Sequence, residues 1–139
     1  MSDWWQWSPL KANQKLGFAV VGIGRFGSAV CRELLRNGAD VLAVDSSEKA
    51  IEELRQLEPT IEARVVDSTD EESMKEAGVL EMGTVVVGIS EPIEASITTT
   101  LIAKDTEGSL VKQVIARATS DLHEKMLKRV GADRVVFPS

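Results

Sequence analysis

The chain has no tyrosine, one cysteine and one histidine among its 139 residues. Without tyrosine there is no Tyr/Lys proton-transfer pair of the short-chain dehydrogenase kind. A lone Cys31 excludes an intramolecular disulfide, and a reducing cytoplasm is the simplest setting for such a chain. Cys31 falls on an apolar helical stretch, so it reads as a buried structural thiol and not a nucleophile. One histidine also leaves no Cys/His pair, no Ser/His/Asp set and no metal-ligand cluster. His123, beside Leu122 near the start of a helix, reads as a solvated surface residue. Positive charge is short too: 16 Lys and Arg stand against 22 Asp and Glu, a net −6. That balance argues against a nucleic-acid surface, which needs clustered cations. No apolar run approaches the roughly 18 residues needed to cross a bilayer.

What the chain does have begins with an odd segment. All three tryptophans, Trp4, Trp5 and Trp7, lie in residues 1–15, which otherwise read as a polar, tail-like extension without the pattern of a signal peptide. A second reading makes them an aromatic anchor for a partner subunit or a membrane interface. From residue 16 to 139 one domain is expected. Short β-branched strands alternate there with helical patterns: Gly17–Val21, Val41–Val44, Ala63–Val66, Thr84–Val87, Gln113–Ala116 and Val135–Phe137. The strands lack polar alternation, as strands covered on both faces do. The fold class is therefore α/β, a Rossmann-like doubly wound parallel sheet of six strands in the order 3-2-1-4-5-6. Among the intervening helices, Leu57 is expected on an inward face. So are the stripe Ile93, Ile97 and Leu101 and the set Leu122, Met126, Leu127 and Val130.

In such a sheet, ligands bind beyond the carboxyl ends of the strands, so the residues just after each strand are the candidates. After the first comes Gly22-Ile23-Gly24-Arg25-Phe26-Gly27, followed by Ser28. Its glycines suit a tight turn, close approach of a pyrophosphate and close helix packing. Arg25 within that loop supplies a cation for a di- or triphosphate. After the second strand come Asp45 and Ser46; Asp45 stands 18 residues past Gly27, near the spacing expected of a ribose-binding acid. Asp67, Ser68 and Thr69 follow the third strand, on the side of the base. Ile89, Ser90 and Glu91 follow the fourth, beside ribose and phosphates. Arg117 follows the fifth, either at the phosphate rim or paired with a surface acid. The set describes binding without visible catalysis, so the chain is not expected to be an enzyme.

With these motifs in place, the chain from about Leu16 to Pro138 resembles the N-terminal lobe of an RCK domain, of the TrkA-N/KtrA kind. The resemblance rests on G-I-G-R-F-G (Gly22–Gly27), L-A-V-D (Leu42–Asp45), D-S-T (Asp67–Thr69), E-A-S-I-T-T-T-L (Glu94–Leu101) and G-A-D-R-V-V-F-P (Gly131–Pro138). It implies a non-enzymatic cytoplasmic subunit, peripheral to the membrane, that binds ATP, ADP or NAD(H). It also implies a homodimer, commonly assembled into an octameric ring, that gates an integral-membrane K⁺ pore. The phosphate loop would then be Gly22, Gly24, Phe26, Gly27 and Ser28, with Arg25 on the terminal phosphate. Asp45 would hold the ribose, Asp67 and Ser68 would flank the adenine, and Arg117 would supplement the phosphates. The helices after strands four and five would supply subunit contacts. The usual crossover helix and second lobe do not follow, so an excised lobe is expected. Ser139 stands where related chains tend to carry a Glu near nucleotide and a divalent cation, so no carboxylate metal ligand is assigned and the cation is left open. The competing readings are the cofactor domain of an NAD-dependent oxidoreductase and a pure assembly module.

Overall fold

The computed structural model describes residues 17–138; the tryptophan-bearing extension and Ser139 lie outside the described residues. The elements in chain order are β1 (Phe18–Val21), α1 (Arg25–Arg36), β2 (Val41–Asp45), α2 (Glu48–Leu57), β3 (Glu62–Val65) and α3 (Glu71–Ala77). A 3₁₀ turn (Val79–Glu81) leads into β4 (Thr84–Val87), α4 (Ile93–Asp105), β5 (Gln113–Arg117), α5 (Asp121–Arg129) and β6 (Arg134–Val136). The six strands pair in parallel in the order β3-β2-β1-β4-β5-β6, as expected. Phe18 aligns with Val41 on one side and Thr84 on the other, so β1 is the central strand from which the order departs both ways.

Alternate side chains along each strand feed two separate cores. Phe18, Val20, Ala43 and Ile115 face Val30, Leu34, Ile51 and Leu54 of α1 and α2. Ala19, Val21, Val44, Val87 and Val114 face Met74, Ala103 and Leu127 of α3, α4 and α5. Each large aliphatic group fully buried this way contributes about 1.5–3 kcal/mol. The inner strands read as unbroken apolar runs because both faces are covered. The two edge strands are the exceptions: in β3 only Ala63 is buried and Val65 is 49% exposed, and β6 is half-buried throughout. The expectation of two-sided burial fails there, because an edge strand has a neighbour on one side only.

Three helix faces also differ from expectation. Leu57 closes α2 and is exposed, since the last turn has run past the sheet. On α5, Leu127 is buried and Val130 half-buried, whereas Leu122 and Met126 are exposed. The largest reversal is α4: its buried stripe is Ser96, Thr99, Thr100 and Ala103, spaced i, i+3, i+4, i+7, while Ile93 and Ile97 are half-buried and Leu101 exposed. Small side chains let the helix backbone lie close to the sheet. Two of the hydroxyls are satisfied within the helix, Ser96 donating to the Ile93 carbonyl at 2.8 Å and Thr100 to the Ser96 carbonyl at 2.9 Å.

The start of α1 lies directly against the end of β1. A Cβ added at Gly27 would overlap the Gly22 carbonyl oxygen, and Gly88 packs on the same carbonyl from the β4 side. Gly22 itself has φ +94° and sits against the backbone of Ile89. Gly27→Ala must therefore push α1 off β1, and it should lower the unfolding free energy by about 2–3 kcal/mol in urea denaturation.

Candidate functional site

The loops after β1 to β5 converge on one cavity of about 630 Å³ at the carboxyl edge of the sheet, a size that suits a nucleotide. Gly22, Gly24 and Arg25 line it from the first loop, Asp45 and Ser46 from the second, and Asp67, Ser68 and Thr69 from the third. Ile89, Ser90 and Glu91 line it from the fourth loop and Arg117 from the fifth. Four expected residues do not line it. Ile23 is turned into the core, Phe26 and Ser28 are half-buried on α1, and Gly27 is occupied by its contact with Gly22. Their part is to shape the loop from behind.

The arrangement fits a phosphate-bearing ligand on three counts. Around Gly24 a Cβ would meet nothing within 4 Å, so the loop is open on its cavity side. α1 starts at Gly24 and α4 at Pro92 without any side-chain cap, whereas Ser47, Asp70 and Ser120 cap α2, α3 and α5 by accepting from Ala50, Ser73 and His123 backbone N–H groups. Two uncapped helix N-termini, with their unsatisfied donors and positive dipole ends, thus border the cavity. Pro92 and Ala95 of α4 line it, as does Val21. The sequence reading missed these three, although the placement of α4 after β4 put its N-terminus at the same sheet edge as that of α1.

The third count is the arginines. Arg117 lies with its guanidinium carbon 5.8 Å from the Phe26 ring centroid, and its buried Nε has no hydrogen-bond partner. Among the described residues no carboxylate pairs with Arg117 or with exposed Arg25; the surface-acid alternative for Arg117 is therefore not what the structure shows. Two uncommitted guanidinium groups facing one cavity are matched to phosphate oxygens.

Asp45 is half-buried, and its carboxylate accepts from the Ile23 backbone N–H at 2.6 Å and the Ser47 backbone N–H at 2.8 Å. It pins the glycine loop to β2, and each oxygen keeps a second lone pair. At the third loop, Thr69 donates both its hydroxyl (2.6 Å) and its backbone N–H (3.0 Å) to Asp67 Oδ1, which holds this carboxyl below the usual range. The Ser68 side chain is buried, with its hydroxyl 2.7 Å from Thr99 Oγ1 of α4.

With the geometry established, the family can be decided. The family model described as the TrkA-N domain matches residues 18–138. The chain belongs to the TrkA-N family. It is 40% identical over 124 residues to Ktr system potassium uptake protein C of Bacillus subtilis (strain 168), covering 89% of this chain and 54% of that protein. It is 35% identical over 121 residues to potassium uptake protein A of the same organism's Ktr system, covering 87% and 52%. This TrkA-N chain thus spans about half the length of the curated relatives it matches. Among solved structures, the TrkA-N domain of the inner membrane protein ybaL from Escherichia coli superposes with TM-score 0.76 at 24% identity, covering 88% of this chain and 87% of that one. The GsuK channel bound to NAD gives TM-score 0.73 at 18% identity, covering 86% of this chain and 21% of that one; GsuK has also been solved bound to ADP. At that identity the likeness is one of fold.

Two single-copy residues complete the description of the TrkA-N domain. Burial, with a smaller effect of Glu58, pushes the Cys31 thiol up to about 12, in keeping with a structural role. His123, expected in solvent, is 1% exposed. Its Nδ1 accepts from the Thr119 backbone N–H at 3.1 Å, so Nε2 carries the proton and donates to Ser96 Oγ at 2.7 Å. A helix-surface reading failed because α5 turns this position onto α4. Burial holds the His123 pKa below its ordinary 6.5, so the unfolded chain binds more protons than the folded one on the acid side. The contribution is whole above pH 6.5 and is lost as pH falls below it toward the lower folded value. Urea denaturation at pH 7.5, 6 and 5 should therefore show the native chain losing stability over this range faster than His123→Gln.

Proposed function

We propose that this chain is the nucleotide-sensing lobe of a regulatory subunit for potassium transport. It binds ATP or ADP in the cavity described and passes the difference to an integral-membrane K⁺ pore. The observation that carries this is the pairing of an open glycine loop with two uncapped helix N-termini and two arginines that no acid among the described residues neutralises. The Ktr relatives, named as potassium uptake proteins, support the physiological setting. Phosphates on the α1 N-terminus place the ribose beside Asp45 and the base toward Asp67–Thr69. Arg25, at the open end of the first loop, is where one phosphate more or less changes the contact.

No residue set in the cavity supports a reaction, so the mechanism is differential binding. A ligand shifts a conformational equilibrium only by as much as its affinity differs between the two states. The assembly that reads the difference is a homodimer, within an octameric ring, held on the cytoplasmic side of the membrane by the pore subunit. Its contacts use the outer apolar face of α4 and α5, where Ile93, Ile97 and Met126 share a groove and Leu101 and Leu122 are exposed. Among the described residues no helix is long and apolar enough to cross a membrane.

NAD(H) is the competing ligand, because Asp45 suits a ribose diol and GsuK was solved with NAD as well as with ADP. If NADH binds far more tightly than ATP, NAD(H) and not ATP or ADP is the ligand of this lobe. Calorimetric titration with ATP, ADP and NADH separates the cases. Arg25→Ala should weaken ATP by about tenfold or more, the worth of a charge-assisted hydrogen bond, and ADP by less. Equal affinities for ATP and ADP, with identical scattering profiles for the two complexes, would sink the sensing mechanism.

A further inference from the structure

We infer that Thr99, on α4, is a positioning residue for the base-side rim of the cavity, and that nucleotide affinity depends on it although it does not line the site. This rests on the nucleotide reading above. Along the sheet edge, the phosphate loop follows β1, Asp45 follows β2, and the Asp67–Thr69 rim follows β3, the outermost strand. A ligand laid from phosphate to base therefore ends on the rim with the least support. β3 has one strand neighbour and is largely exposed, and within the loop Asp67 and Thr69 bond mainly to each other.

Thr99 supplies the missing anchor. Its Oγ1 lies 2.7 Å from Ser68 Oγ and donates to the Ser68 carbonyl at 3.2 Å. With the Thr99 proton committed to the carbonyl, Ser68 donates to Thr99, and the two hydroxyls form a closed reciprocal pair. Both residues are buried, at 8% and 0% exposure, so water cannot take over either bond. The pair spans 31 positions and joins the β3 loop to a helix from the other half of the sheet. A second tie, Thr106 Oγ1 donating to Glu71 Oε1 at 3.0 Å, links the far end of α4 to the start of α3. Only the Thr99 tie reaches a residue lining the cavity.

Breaking the tie should act on the base and spare the phosphates. Thr99→Val keeps the shape and removes the hydroxyl; Thr99→Ser keeps the hydroxyl. Calorimetry with ADP and with inorganic pyrophosphate on each variant should show Thr99→Val weakening ADP by about tenfold, the scale of one buried hydrogen bond, with pyrophosphate binding unchanged. Thr99→Ser should restore ADP affinity to within about twofold. Ser68→Ala, which leaves the carbonyl bond in place, should weaken ADP by about threefold and serves as the probe if Thr99→Val does not fold. Hydrogen exchange of the unliganded chain should speed up at residues 67–70 in Thr99→Val and not in Thr99→Ser. ADP binding by Thr99→Val at native strength, or a loss shared equally by ADP and pyrophosphate, overturns the inference. A native chain that binds no ADP removes the nucleotide reading and this role with it.

Discussion

The contact between Gly27 and the Gly22 carbonyl is the constraint from which the site follows. It brings the first turn of α1 directly onto the end of β1, with no side chain between them. At that distance the N-terminus of α1 opens on the carboxyl edge of the sheet and cannot be shielded by its own helix. Gly88 packs on the same carbonyl from the β4 side, so the two loops at the point where the strand order diverges are locked together. Any side chain at these positions would separate strand from helix and widen the cavity floor. Gly24 differs in kind. Its neighbourhood is open, and its smallness matters to whatever enters the loop and not to the protein's own packing.

Charge is arranged around this constraint with some economy. The chain carries a net −6, and Asp45, Asp67 and Glu91 all line the cavity. Yet Asp45 is engaged with backbone N–H groups of Ile23 and Ser47, and Asp67 with Thr69, so both acids spend much of their field within the loops. Arg25 and Arg117 have no such internal partners among the described residues, and the two helix ends add positive potential from fixed dipoles. An acidic protein can in this way present a locally cationic seat. Binding depends on which charges are committed, and the net charge does not reveal that.

Much of this was legible in the sequence, and the limits were physical. Unbroken apolar runs such as Phe18–Val21 and 85–87 announce a covered parallel sheet, and the glycine loop fixes which strand lies at its centre. The strand order follows from those two facts. The post-strand rule then gathers Asp45, Asp67, Glu91 and Arg117 onto one edge without knowledge of their contacts. What did not follow was anything that turns on the distance between layers. Hydrophobic periodicity assigns Ile93, Ile97 and Leu101 to the core of α4. The buried stripe of that helix is Ser96, Thr99, Thr100 and Ala103 instead. His123 was misplaced for the same reason, because its burial depends on Ser96 being small enough and polar enough to receive it. The partners of Ser68 could not be read either, since its bond to Thr99 spans 31 positions with no sequence signature.

The inversion of α4 has a mechanical consequence. Most surface helices are held by aliphatic contacts, which have no preferred direction and tolerate small slides. On its inner side α4 packs Ala103, Ile97 and Ile102 on the core and adds hydrogen bonds, which weaken steeply with misalignment: Thr99 to Ser68 at the cavity rim and Ser96 to His123 on α5. A shift at the rim therefore meets a helix that moves as a body or loses a buried bond, and a buried hydroxyl left unpaired costs about 1–3 kcal/mol. Leu101 of α4 is exposed, and Ile93 and Ile97 border an outer groove beside Met126 of α5. Its contacts are of the sliding kind, and they are available to another surface. The helix is thus tied to the cavity rim by directional bonds while part of its aliphatic surface stays exposed.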